Sequence, residues 1–146
     1  IAHEEVRSRA VHAIADGHAF LVMHPLHVLR SRLANIYTLA EKQSVKGEMQ
    51  LALAIDVARE FVRAEARDKQ VHSEATRSPI QPYISEIERM ALDDAGRKVA
   101  QRFGIRVADA IDPSSIPAGP FWDRKWPTLA PLMSADYASR YRPPGP

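Results

Sequence analysis

The sequence predicts a mainly α-helical fold: an N-terminal β-hairpin, then an antiparallel three-helix bundle, then an ordered proline-rich arm. Three observations predict it. Apolar residues recur at helical spacing through three long stretches. An Asp-Gly pair lies between two short runs that read as strands. Eight of the chain's 11 prolines fall between residues 112 and 146, where long helices are therefore forbidden. We expect residues 1–111 to form the hairpin and helical domain. Residues 112–146 should lie across that same domain, with the final residues frayed.

In chain order, residues 9–23 read as the hairpin. Asp16-Gly17 suits a two-residue type I′ turn, because both central positions need positive φ. That turn sets Ala13 opposite Phe20 and Val11 opposite Val22 on one side, with His12 and Leu21 on the other. A lone hairpin is marginal in water, so it must pack on the helices or extend a larger sheet. Pro25 then suits a first helical turn, where its missing N–H costs nothing. From it Leu26, Leu29, Leu33, Ile36 and Ala40 form an apolar stripe that fades near residues 41–44.

A second helix is expected over residues 48–67, burying Leu51, Ala54, Ile55, Ala58, Phe61 and Val62. The short Val45-Lys46-Gly47 connection predicts an antiparallel pair. Residues 68–79 are polar and rich in turn formers, so they read as a loop. A third helix follows over 82–103 with the stripe Ile84, Ile87, Ala91, Ala95, Val99 and Phe103, and Gly104 is placed to end it. Residues 105–111 add a short turn. In the arm, Ile116, Phe121, Trp122, Trp126, Leu129 and Met133 are too apolar to lie free.

Totals narrow the function classes. The 146 residues carry 20 Lys and Arg against 18 Asp and Glu, a net charge of +2. So small and interleaved an excess makes nucleic acid an unfavoured partner. There is no cysteine, which excludes disulfides, thiolate metal sites and thiol catalysis, and fits a reducing, cytoplasmic setting. No apolar run is long enough for a membrane span. The first residue is Ile1 rather than Met, so we expect a processed or truncated start.

Few side chains form a chemical pattern. His12, His18, His24 and His27 lie close in sequence, but a turn histidine, a cap and surface rings explain them better than a metal site. Asp93 and Asp94 point about 100° apart on a helix and read as a solvated face. Asp109 and Asp112 read as caps. Arg30, Arg32, Lys42 and Lys46 gather around one end of the helix pair, either as a phosphate-facing patch or as ordinary solvated charge. Phe121, Trp122 and Trp126 read as the arm's anchor rather than a base-stacking platform. No catalytic residue and no metal ligand is assigned.

From His24-Pro25-Leu26 and Leu29-Arg30-Ser31-Arg32-Leu33-Ala34-Asn35, the chain resembles the latter half of bacterial nucleotidyltransferase-like proteins. These are the abortive-infection toxin type and their uncharacterised relatives. The second helix, with Gln50, Ala52, Leu53, Ala54, Ile55, Val57, Ala58, Arg59 and Phe61, has the same flavour, as do Phe121-Trp122 and Trp126-Pro127. The resemblance implies transfer of a nucleoside monophosphate from a triphosphate, with magnesium held by a Gly-rich turn and an Asp-x-Asp strand in an N-terminal half. This chain contains neither motif. It implies for this chain a supporting role, with Arg32, Lys42 and Lys46 facing nucleotide phosphates and no cofactor held alone. The partner would be the missing catalytic half or a second copy. The competing expectation is a small helical interaction or oligomerisation module without catalysis.

Overall fold

The computed structural model describes residues 3–70 and 78–145. It is mainly helical, with one two-stranded antiparallel sheet near the N-terminus. The order is α1 (His3–Ser8), β1 (Val11–Ala15), β2 (His18–Val22), α2 (Pro25–Thr38), α3 (Val45–Gln70), α4 (Gln81–Leu92) and α5 (Asp94–Phe103). Beyond Phe103 the chain makes only short helical turns, among them α6 (Trp126–Leu129) and α7 (Ala135–Ala138).

The hairpin has the predicted register, with Val11 paired to Val22, His12 to Leu21 and Ala13 to Phe20. Asp16 and Gly17 take φ of 51° and 75°, as a type I′ turn demands. The helix α1 ahead of it lacks any long periodic stretch and was not expected. The hairpin buries little: every β2 residue is exposed, and Ile14 on β1 is 80% exposed.

His24 opens α2 by accepting a hydrogen bond at Nδ1 from the Leu26 amide, 3.1 Å away, and Pro25 takes the first helical position. The α2–α3 pair is antiparallel. The ring of His24, at the start of α2, sits 4.7 Å from that of Phe61, late in α3. Arg32, further along α2, reaches back to Gln50, early in α3. Between them the chain turns so tightly that a Cβ on Gly47 would lie 1.7 Å from the Lys42 carbonyl oxygen.

Three expectations are corrected. The second helix begins at Val45 and runs to Gln70, while α2 already ends at Thr38, so the connection is residues 39–44 rather than Val45-Lys46-Gly47, and residues 68–70 are helical rather than loop. The rest of that predicted loop, residues 71–77, lies outside the described residues. The third helix is divided at Asp93, which is extended and caps α5 through its side chain, accepting from the Gly96 amide at 2.8 Å. The apolar stripe runs on through both pieces, because Ile84, Ile87, Ala91 and Val99 are all buried. Periodicity reads the burial of a face and is blind to a bend that preserves it. Gly104 ends α5 in the left-handed conformation, as predicted.

The core joins α2, α3, α4 and α5 with residues from beyond Phe103. Leu26, Leu29, Leu51, Ile84, Ile87, Ile111 and Leu129 are almost wholly buried in one cluster. The proline-rich arm is fixed by polar contacts as well. Trp122, buried, donates from its indole N–H to the Ile116 carbonyl at 3.3 Å, and Tyr137 donates to the Ile111 carbonyl at 2.7 Å. Lys125 pairs with Glu88 of α4 at 2.6 Å. Asp109 accepts from both the amide and the hydroxyl of Ser134.

Candidate functional site

A polar cluster lies where the link between α1 and β1, the start of α2, and α4 meet. Glu86 of α4 takes a bidentate pair from Arg9, at 3.0 and 3.2 Å, and a third bond from Arg30 at 3.0 Å. Burial alone would push the Glu86 carboxyl up, but the bond from Arg9 and the charges of Arg9 and Arg30 outweigh it and hold it ionised below the usual range. Arg9 also donates to His27 Nε2 at 3.0 Å. An arginine can only donate, so His27 is neutral with its proton on Nδ1, a buried atom that has no partner among the described residues.

The two histidine rings lie 5.9 Å apart and are both almost completely buried. Burial, followed by the charge of Arg9, lowers the His24 imidazole to about 4 and also lowers that of His27. Phe61 and Tyr83 pack edge-on to one another beside His24. A cavity of about 440 Å³ opens alongside, lined by Val6, Met23, His27, Arg30, Ser31 and Asn35 among others.

The arrangement can do limited chemistry. The carboxylate is saturated by two guanidinium groups, and the imidazoles stay neutral across the physiological range. It therefore works as an electrostatic tie between the hairpin's root and α4. His12 and His18 lie exposed on the hairpin, away from the buried His24–His27 pair. No group of three or more metal-ligating side chains occurs among the described residues.

The four predicted basic residues divide. Arg30 is bound to Glu86 and so belongs to the tie. Arg32 makes one long hydrogen bond to Gln50 Oε1, 3.5 Å, one helical turn beyond Lys46. Lys42 and Lys46 flank the close approach at Gly47. Arg32, Lys42 and Lys46 have no ion-pair partner among the described residues, whereas Arg9, Arg30 and Arg59 each have one and Arg63 has two.

Sequence reasoning missed Arg9 and Glu86, which are 77 positions apart. The available signal was an acidic residue, Glu86, set directly beside the buried Ile87. Asp112 matches its reading as a cap, accepting from the Ser114 amide at 2.9 Å, and it also pairs with Arg63. Burial raises its carboxyl, but the bonds from Ser114 and Arg63 prevail and hold it below the ordinary carboxylate range. Asp93 and Asp94 are both exposed, as expected of a solvated face; Asp93 also caps α5, and Asp94 accepts from the Tyr37 hydroxyl at 2.5 Å.

No protein-family model matches the chain, and no curated protein or solved structure matches it significantly.

Proposed function

We propose that the chain is a supporting unit that completes a larger assembly. The observation that carries this reading is the hairpin. Ile14, Phe20, Leu21, Val22 and Met23, on or beside the hairpin, are between 42% and 80% exposed, and no third strand joins either edge of the two-stranded sheet among the described residues. Such edges and apolar faces favour addition of further strands.

The other half, in this reading, is the catalytic portion of a nucleotidyltransferase-like protein, whose sheet the hairpin extends in a cytoplasmic, nucleotide-containing setting. Support comes from Arg32, Lys42 and Lys46, which border one end of the helix pair and have no carboxylate partner among the described residues. Free guanidinium and ammonium groups suit phosphate oxygens. The test is calorimetric titration of a magnesium–nucleoside triphosphate into this chain and into a version extended upstream along its natural reading frame. Binding by the extended version alone, weakened at least tenfold by Arg32→Ala, is the expected result. Absence of binding in both would overturn the nucleotide reading.

A second reading, an interaction module without any nucleotide, is favoured by a different surface. Val45, Met49, Leu53 and Val57 form an exposed apolar stripe along α3.

A further inference from the structure

We infer that this α3 face is a self-complementary surface that pairs with the same face of a second copy of the chain, antiparallel, about a two-fold axis at Leu53. The inference rests on the assembly reading but uses a surface separate from the hairpin.

The exposure is unusual in kind. Val45 is 73% exposed, Met49 66%, Leu53 63% and Val57 46%. They recur every four residues and so form one continuous ridge. Scattered exposed apolar residues need no explanation, whereas an aligned row marks a contact surface. The opposite face of α3 is already used, since Leu51, Ala54, Ile55, Ala58 and Val62 are buried in the core.

The charges choose the occupant. At about 100° per residue, Lys46 and Glu60 both fall within roughly 20° of the Leu53 direction, two turns before and two turns after it. Met49 and Val57 lie about 40° to either side, one turn away. Reversing the helix about Leu53 exchanges Lys46 with Glu60 and Met49 with Val57. An antiparallel copy therefore sets Leu53 on Leu53, each Met49 on a Val57, and each Lys46 on a Glu60. Two-fold symmetry makes every such contact twice. A parallel copy would set Lys46 on Lys46 and Glu60 on Glu60. Charge thus selects both the partner and its direction.

Glu60 also pairs with Arg63 along its own helix, yet its side chain remains 62% exposed and open to a second cation. Lys46 has no ion-pair partner among the described residues. The ridge is short beside the roughly 800 Å² per partner of a standard interface. The dimer is accordingly expected to be concentration-dependent, in the micromolar range.

Sedimentation equilibrium of the full chain from about 1 to 200 µM tests it. The expected result is a reversible monomer–dimer equilibrium. Leu53→Asp, at an exposed position, should leave the circular dichroism melt intact and yield monomer throughout. Lys46→Glu and Glu60→Lys should each weaken the dimer by roughly tenfold or more, and the double variant should restore it. Restoration is a readout that a folding defect could not produce. A monomer at all concentrations, or a dimer indifferent to Leu53→Asp, would overturn the inference, as would a double variant no tighter than the single ones. If the dimer survives Leu53→Asp but is lost in Ile14→Asp, the hairpin is the interface. The assembly reading then stands while this inference falls. Absence of upstream-dependent nucleotide binding would strike the nucleotide reading alone.

Discussion

At the scale of single residues, His24 does two jobs that both require it neutral. Its Nδ1 lone pair accepts the Leu26 amide, and its ring packs against Phe61. Protonation would fill that lone pair and bury a charge. The imidazole titrates at about 4 in the fold against an ordinary 6.5. A folded value below the unfolded one means that His24 contributes its full stability above pH 6.5, and that this is lost as pH falls towards 4. The depression corresponds to about 3 kcal/mol. Urea unfolding between pH 7 and 4 should show this loss, with buried His27 adding in the same direction. His24→Asn keeps a capping oxygen without a titrating group. It should flatten the profile, and an unchanged slope would remove His24 from the account. The capping role was partly legible, because a histidine before Pro25 at a helix start suggests it. The Arg9–Glu86 tie was not, since nothing local in a sequence links residues that meet only after three helices have packed.

At the scale of elements, the hairpin register could be read from one dipeptide, because a type I′ turn fixes every pair above it. The two helices that follow were equally legible from their stripes. What escaped was the junction at Asp93, where the helix stops and restarts while its buried face continues. The junction between α2 and α3 carries its own prediction. Alanine favours an isolated helix over glycine by about 1 kcal/mol. At Gly47 the sign should reverse, because the added methyl would meet the Lys42 carbonyl. Gly47→Ala should lower the unfolding free energy by about 2 kcal/mol, read from the urea midpoint. A stabilised variant would show that the turn is looser than described.

At the scale of the whole molecule, the arm is part of the core. Its composition announced the absence of long helices, and its aromatic and aliphatic residues announced that it must pack. Neither could say upon what. Leu129 is fully buried in the same cluster as Leu26 and Ile84. Leu129→Ala should therefore cost about 2–4 kcal/mol, with helical and tryptophan signals shifting together in one transition. If tryptophan fluorescence moved alone, the arm would be a separate folding unit.

The Arg9–Glu86 tie also has a consequence in time. A ribosome adding roughly 5–20 residues per second delivers Glu86 some 77 residues after Arg9, a delay of about 4–15 s. The hairpin, α2 and α3 have all been synthesised by then, and their mutual contacts are near neighbours in the chain. Until α4 arrives, Arg9 and Arg30 have no Glu86 to hold, and the root of the hairpin stays unlocked.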